Sequence, residues 1–355
     1  MDSSLFNIVD VCTGIGGLSR GVYFGLKSIG FTPRTVCYVE REAFACAVLD
    51  ARMEAGDLDA APIWTDVSSF PCRNFTGSVD MVIGGIPCQD FSLAGKCAGT
   101  SGDRWLWPDF WRIVCGTGAK MLFLENVAGF VSGGGLAAVV SDLAASGWNA
   151  EWDCFSADEV GAPHRRERLF VLAYAGCEHV DIFKRRIWAK STRESCTMGN
   201  TDSTAGLEPQ RKPGGRAGVE EANQPMAHSA GKRRSGRSDG DATGSKREIQ
   251  ASGSRGSVDC NRCRYEIPTW PPCPEDEAWE RVIAMRPDLA PAINGKLNPR
   301  FVSWLMGLRP DWVDIPGAAK VDQLRALGNS CVPATAELAL RTLWHRVEVF
   351  NKNKF

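Results

Sequence analysis

The sequence lacks any apolar run long enough to cross a lipid bilayer. Its first ten residues, MDSSLFNIVD, carry an acidic residue and no long apolar stretch, so they do not have the pattern of a secretory signal. No internal repeat is visible either. These absences argue against a membrane-spanning or secreted protein, and we expect a cytoplasmic one.

The chain also has little net charge, −1 at pH 7 over 355 residues, so a polyanionic partner would have to meet a local basic surface. Fourteen cysteines are scattered along it. Without a secretory signal, this scatter predicts reduced thiols rather than disulfides. The length suits one large domain, or a large and a small one.

Short apolar runs alternate with helical patterns through the first half of the chain. Strands are predicted at 7–12, 36–40, 63–67, 80–84, 120–127, 149–156 and 168–174. Helices are predicted at 18–29, from 42 onward, at 107–114 and 136–146, and later at 279–285, 299–307 and 333–349. This alternation favours an α/β fold with a doubly wound, mostly parallel sheet over residues 1–175.

The composition changes at about residue 190. From there to about 258 the chain is rich in Gly, Ser, Arg and Thr and has almost no apolar periodicity, so it cannot easily bury enough surface to order itself. It includes the basic run Lys232-Arg233-Arg234. Two interpretations stay open: a solvated insertion, or an arm that contacts nucleic-acid phosphates.

Cys260, Cys263 and Cys273 form a cysteine cluster in the same half of the chain. A tetrahedral zinc site needs a fourth ligand, and no histidine lies close by. We therefore expect no metal.

Three successive strand ends carry groups suited to a nucleoside. The glycine-rich bend Thr13-Gly14-Ile15-Gly16-Gly17 would bring backbone N–H groups and a positive helix end against a polar cofactor group. Glu40 ends the second strand and could accept from ribose hydroxyls. Asp66 ends the third predicted strand and could accept from an adenine amino group. Each acid alone is a surface residue by default, but together they predict a nucleoside pocket.

The fourth predicted strand opens into Gly84-Gly85-Ile86-Pro87-Cys88-Gln89. The two glycines let the backbone turn, and Pro87 fixes its own φ. Cys88 follows the carboxyl end of a strand, where open α/β sheets bind their ligands. A lone cysteine is usually an inert structural thiol, so its interpretation depends on the residues that accompany it.

Glu125 ends an apolar strand that we expect beside the strand of Cys88. A carboxylate is costly to bury unless it is paired. With no histidine nearby, a Glu and a Cys fit neither a metal site nor a protease pair. They suit chemistry in which a thiolate attacks a ring while a carboxyl group holds or protonates a ring nitrogen.

Two further segments fit such a site. Arg166 and Arg168 are two residues apart and would share one face, where they could clamp a phosphate and a carbonyl oxygen. The alternative is an exposed basic loop. The stretch 91–105 is a long loop that could close over a flipped base, unless it is a plain surface loop.

In this order, DVCTGIGG, Glu40, Asp66, GGIPCQDFS, FLENV, PHRRER and the late GNS (328–330) resemble the DNA (cytosine-5) methyltransferases. The resemblance covers roughly residues 5–175 and 295–345. It implies the fold of S-adenosylmethionine-dependent methyltransferases, with a catalytic and cofactor-binding domain over 1–175. A smaller target-recognition region would span 176–294, and the segment 295–355 would return to complete the first domain.

The resemblance also implies a mechanism. Cys88 attacks carbon 6 of a cytosine, and Glu125 holds its N3 and exocyclic amine. Carbon 5 then takes a methyl group from S-adenosylmethionine, and loss of its proton and of the thiolate releases the product. Arg168 would hold the base carbonyl and Arg166 a phosphate, while Asn126 and Pro87 shape the pocket. The target base must first leave the helix stack.

The remaining site residues are assigned in the same way. The cofactor would contact Asp10, Thr13, Gly14, Ile15, Gly16, Gly17, Glu40, Arg41, Asp66, Val67, Gly85, Pro87, Leu106, Asn329 and Ser330. Nucleic acid would contact Gln89, Ser92, Lys96, His164, Arg166, Lys232, Arg233 and Arg234. Two positions depart from the family: Cys12 stands where a Phe usually lies against adenine, and His164 replaces a Gln, which makes a pH dependence possible.

These implications predict a bacterial or phage-encoded monomer that methylates a specific duplex DNA sequence, as an orphan enzyme or beside a restriction endonuclease that acts separately. Two alternatives stay open: an RNA (tRNA) cytosine-5 methyltransferase, and a nucleic-acid-binding homologue without activity. The large variable region before Leu297 favours DNA, because reading a duplex sequence needs an added groove-binding element. The presence of Cys88, Glu125, Arg166 and Arg168 argues against the inactive homologue.

Overall fold

The structure, a computed structural model, describes residues 5–87, 105–176 and 268–352, and all of them belong to one compact unit. Several predicted site residues lie outside these ranges: Cys88, Gln89, Ser92, Lys96, Lys232, Arg233, Arg234, Cys260 and Cys263. Within the described ranges, no helix is both long and apolar enough to cross a bilayer.

Seven of the described strands form one sheet. They are β1 Leu5–Val11, β2 Thr32–Val39, β3 Ile63–Trp64, β4 Met81–Gly84, β5 Met121–Val127, β6 Trp148–Phe155 and β7 Arg168–Ala175. Their order is β3-β2-β1-β4-β5-β7-β6. The first five are parallel, and β7 pairs antiparallel with both β5 and β6. The prediction of a mostly parallel sheet is confirmed.

Helices cover both faces of this sheet, as continuous apolar strands such as β4 and β5 require. The described helices are α1 Gly17–Ser28, α2 Ala43–Glu54, α3 Trp107–Thr117, α4 Gly129–Ser132, α5 Gly135–Ala145, α6 Glu277–Met285, α7 Pro299–Leu305, α8 Lys320–Asn329 and α9 Pro333–Lys352. Short 3-10 helices span Cys72–Phe75, Ala157–Val160 and Pro287–Leu289, and a hairpin joins β8 Ala292–Ile293 to β9 Lys296–Leu297. The two largest of the four buried clusters among the described residues lie under α3 and α5 and under α1 and α9.

Helix α9 brings the late part of the chain back onto α1. The approach is close because α1 has glycines at the contact. A β-carbon on Gly21 would press on the Pro333 carbonyl and lie 2.6 Å from Cβ of Ala336. A β-carbon on Gly25 would lie 2.9 Å from Cδ2 of Leu340. The glycines therefore set the distance between these two helices.

Several described elements differ from the sequence-based prediction, among them β2, β3 and α8. Strand β2 begins at Thr32 rather than 36, because Pro33 and its neighbours pair with β1 although their composition suggests a loop. Strand β3 ends at Trp64, so the prediction that Asp66 ends this strand was wrong. The Asp66 carboxylate instead accepts hydrogen bonds from Ser68 and Ser69 and forms a turn. Helix α8 was not predicted, because its sequence is mostly polar.

Asp10, near the end of β1, is a fully buried carboxyl group. It accepts a hydrogen bond from the Ser19 hydroxyl, and its Oδ1 atom has no hydrogen-bond partner among the described residues. Burial raises its pKa from 3.8 to about 8; the Ser19 bond opposes this rise, and the nearby Glu40 adds to it. The side chain has no exposed surface in this conformation, and the predicted contact of Asp10 with the cofactor stays a prediction.

The raised pKa of Asp10 predicts a pH dependence of stability. The folded protein holds a proton that the unfolded chain releases above its ordinary pKa, so this group favours folding most at low pH. Its contribution is lost as the pH rises from about 4 to about 8. The Asp10→Asn variant has no charge to bury at this position. As the pH rises through this window, its free energy of unfolding should therefore increase relative to that of the wild type, by up to about 1.4 kcal/mol per pH unit. Urea unfolding between about pH 5 and 8 measures it. The exposed Asp50→Asn is the control, and parallel profiles for wild type and Asp10→Asn would contradict the assignment.

The close packing of α1 on α9 predicts that a substitution of Gly21, at the contact, destabilises the protein, whereas the same substitution of a helical glycine away from the contact does not. Gly21→Ala should lower the free energy of unfolding by about 1–3 kcal/mol, because the added methyl overpacks the helix contact. Gly328 also lies in a helix, but a β-carbon there meets no atom within 4 Å. Gly328→Ala should leave stability unchanged or raise it by about 0.5–1 kcal/mol, because alanine loses less entropy in a helix. Equal losses in urea unfolding would show that the close approach is not limiting.

Candidate active site

The carboxyl ends of parallel strands lie at one edge of the sheet, where open α/β sheets bind ligands. The turn Thr13–Gly17 follows β1, Glu40 follows β2, and Gly85–Pro87 follow β4. Glu125 is near the end of β5, one residue beyond the point where Leu124 pairs with Gly84. The fold therefore brings together four of the segments that the sequence singled out.

The turn after β1, which we call the cofactor turn (Thr13–Gly17), is held by Glu40. The backbone N–H of Gly14 donates to Glu40 Oε2 at 2.7 Å, and that of Glu42 donates to Oε1 at 2.8 Å. The turn uses left-handed backbone at Gly14 and Gly16, with φ of 58° and 83°. Glu40 thus fixes the turn in this structure, and its contact with a ribose stays a prediction.

The segment after α8 closes the other side of the cofactor turn. A β-carbon on Gly17 would lie 2.5 Å from Ser330 Oγ and would press on the Cys331 carbonyl. Arg166 holds this segment, because its Nη2 donates to the carbonyls of Gly328 at 2.6 Å and Ser330 at 2.7 Å. The structure therefore places Asn329 and Ser330 beside the turn. The phosphate contact of Arg166 stays a prediction.

Glu125 forms an ion pair with Arg168, whose Nε lies 3.1 Å from Oε1. Their side chains are 13% and 19% exposed, so water screens the pair only in part. Burial raises the pKa of Glu125, and the charges of Arg168 and Arg166 oppose that rise. The carboxyl group can therefore take up a proton more readily than an exposed one.

The exit from β4 passes directly beside this carboxyl group. A β-carbon on Gly85 would lie 3.1 Å from Glu125 Oε2. Asn126, which is buried, donates from Nδ2 to the Ile86 carbonyl at 3.3 Å. Strand β5 therefore both presents Glu125 and fixes the backbone that leads through Pro87 to Cys88.

The other predicted contact residues are spread around this edge. His164 Nε2 lies 2.8 Å from the Leu305 carbonyl, which can only accept, so this nitrogen carries the proton. Arg41 is exposed, and Leu106 precedes α3 directly. Cys273 is exposed, and with its two partner cysteines outside the described residues the absence of a metal stays a prediction.

Arg112, on α3, was missed from the sequence. Its Nη2 donates to the Val67 carbonyl at 2.6 Å and its Nη1 to the Phe70 carbonyl at 3.2 Å. It therefore fixes the loop that carries Asp66 and Val67. The available signal was the presence of a cationic residue within the largely apolar stretch WPDFWRIV. That signal does not identify the carbonyl groups that Arg112 binds, because they are distant in sequence.

Comparisons with known proteins agree with this geometry. The family model for C-5 cytosine-specific DNA methylases matches residues 6–344. The Type II methyltransferase M.NgoMIV of Neisseria gonorrhoeae is 30% identical over 182 residues, which cover 50% of this chain and 54% of that protein. The Type II methyltransferase M.NaeI of Lentzea aerocolonigenes is 30% identical over 199 residues, covering 55% and 45%. The matched part thus spans about half the length of these relatives.

Solved structures show the same fold at low sequence identity. The Entamoeba histolytica methyltransferase EhMeth is 12% identical with a TM-score of 0.54, and the match covers 99% of this chain and 100% of that one. DNMT2 of Spodoptera frugiperda is 13% identical with a TM-score of 0.53, covering 96% and 99%. Because the family model extends over nearly the whole sequence, the chain belongs to the C-5 cytosine-specific DNA methylase family.

Proposed function

We propose that this protein transfers a methyl group from S-adenosylmethionine to carbon 5 of cytosine in a specific duplex DNA sequence. The observation that carries the proposal is the partly buried Glu125–Arg168 pair, whose carboxyl group lies beside Gly85 on the backbone that leads to Cys88. A carboxyl group with a raised pKa, held by a cation and set beside the path to a thiol, suits attack on a pyrimidine ring.

The proposed mechanism divides the work among three side chains. The Cys88 thiolate bonds to carbon 6 of the target cytosine, and electron density moves into the ring. Glu125 holds a proton at N3, and Arg168 keeps that carboxyl group in place and faces the base carbonyl. Carbon 5, made nucleophilic in this way, would take the methyl group from the sulfonium donor, leaving a neutral thioether. Carbon 5 then loses its proton to solvent water, and the electrons of that C–H bond expel the Cys88 thiolate from carbon 6 to restore the ring.

The residues around the cofactor turn fit S-adenosylmethionine, which supplies the methyl group when bound. A β-carbon on Gly14 would meet no atom within 4 Å, so the turn is open on that side. The backbone of the turn and the positive end of α1 would face the polar groups of the cofactor. Glu40 would accept from the ribose, the loop of Asp66 and Val67 would hold the adenine, and Asn329 and Ser330 would close the pocket.

We further propose that region 176–294 reads the DNA, with the basic run at Lys232–Arg234 on phosphates. The segment 295–355 would then complete the catalytic domain. The Type II methyltransferase names of the relatives support a modification enzyme. We propose that it is bacterial or phage-encoded, cytoplasmic and monomeric, with any endonuclease acting separately. The helix α9 contact with α1 supports the assignment of the last segment.

The proposed nucleophile predicts a covalent adduct. Wild-type protein incubated with a 5-fluorocytosine duplex and S-adenosylmethionine should form a complex that survives denaturation, because fluorine cannot leave as a proton does. Cys88→Ser should form none and should keep less than about 1% of turnover. Cys115→Ser is the matched control, since this thiol is exposed on α3 and should not matter. An adduct that persists in Cys88→Ser, or that maps to another cysteine, would exclude the mechanism.

The choice of duplex DNA over RNA predicts a substrate preference. Labelled methyl groups should pass to duplex DNA that contains the target sequence, and transfer to tRNA should be at least about a hundredfold slower. Discrimination of this size corresponds to about 2.7 kcal/mol in transition-state binding. Genomic DNA from a strain without cytosine methylation supplies the unknown target, and bisulfite sequencing identifies it. Faster labelling of tRNA would favour the RNA methyltransferase instead.

A further inference from the structure

We propose that Trp312 is a positioning residue for the cofactor turn. Its side chain is fully buried, and its indole N–H donates to the Ile15 carbonyl at 2.8 Å. Ile15 is the central residue of the turn and is itself 1% exposed. A side chain near the end of the chain therefore holds a turn that is 297 positions away in sequence.

Two arginines fix the plane of the indole ring. The guanidinium carbon of Arg20, on α1, lies 5.3 Å from the ring centroid, and that of Arg52, on α2, lies 5.6 Å from it. Both distances allow cation–π attraction, which is strongest for tryptophan. The two helices that flank the cofactor turn thus orient the ring that bonds to it.

Asp57 and Arg309 tie the same segment to α1 and α2. Arg309 Nη1 lies 3.1 Å from Asp57 Oδ2, and Arg20 Nη1 donates to the Asp57 carbonyl at 3.3 Å. Arg52 Nη1 lies 3.7 Å from the Asp57 carboxylate. Because Arg309 is three residues before Trp312, this ion-pair cluster limits how far the indole can move.

The turn has different supports at each of its residues. Glu40 accepts from Gly14, Leu58 packs where a side chain on Gly16 would be, and Cys331 does the same at Gly17. The carbonyl of Ile15 accepts the hydrogen bond from Trp312. Without that donor a buried carbonyl is left unpaired, which costs enough to weaken the ordered turn about tenfold.

The test compares two equally buried tryptophans. Trp304 is 1% exposed, and its indole N–H donates at 2.8 Å to the Pro268 carbonyl, away from the cofactor turn. Trp312→Phe and Trp304→Phe therefore each remove one buried N–H donor with the same bond length. A third variant carries benzothienylalanine at position 312, which keeps the size and ring of tryptophan but has no N–H donor.

Hydrogen exchange of the ligand-free protein measures directly how well the backbone of the cofactor turn is ordered. Peptides that span residues 12–18 should exchange about tenfold faster in Trp312→Phe and in the benzothienylalanine variant, but not in Trp304→Phe. Equal exchange of these peptides in Trp312→Phe and Trp304→Phe would overturn the proposal. If Trp312→Phe does not fold, the benzothienylalanine variant decides alone.

Cofactor binding gives a second readout, which rests on the proposed function. The dissociation constant for S-adenosylmethionine, measured by calorimetry, should rise about tenfold in the two position-312 variants, with KM raised and kcat kept. An unchanged constant would overturn the role of Trp312 in binding. If the wild type binds no S-adenosylmethionine, the proposed function fails, and hydrogen exchange still decides whether Trp312 holds the turn.

Discussion

Burying carboxylates at one edge of a parallel sheet is the constraint on which the rest of this site depends. Asp10, Glu40 and Glu125 lie at the ends of β1, β2 and β5, where water is largely excluded. A charge in such a place needs a partner or a proton. The surrounding structure supplies a different solution for each of these three acids.

Each solution gives the acid a different function. Asp10 accepts from the Ser19 hydroxyl on α1, and its raised pKa favours the neutral form. Glu40 accepts two backbone N–H bonds, which shape the turn. Glu125 has a cation at 3.1 Å, and burial raises its pKa. Of the three, Glu125 is the acid whose carboxyl group lies beside Gly85, on the backbone that leads to Cys88.

The sequence predicted the elements whose pattern is local. Strands β1, β4 and β5 are continuous apolar runs, and short sequence motifs follow or end them. Both the strands and the motifs could therefore be recognised from the sequence. Arg112 and Trp312 were missed because their roles depend on partners that are 45 and 297 positions away. The stretch IWTDV looks extended and so predicts Asp66 on a strand, whereas hydrogen bonds from the Ser68 hydroxyl and the Ser69 backbone N–H to the Asp66 carboxylate turn the chain there.

Arg166 and Arg168, at the start of β7, show that two residues with the predicted spacing can have different roles. Arg168 is the first residue of β7 and pairs with Val127 across the sheet, so its side chain reaches back to Glu125. Arg166 precedes the strand, and its guanidinium turns to the carbonyls of Gly328 and Ser330. One tripeptide therefore holds the proposed catalytic acid with one side chain and the proposed cofactor segment with the other. Because both bonds originate from the same short piece of backbone, the acid and that segment keep a fixed separation, which transfer of a methyl group to a ring held by Glu125 would require.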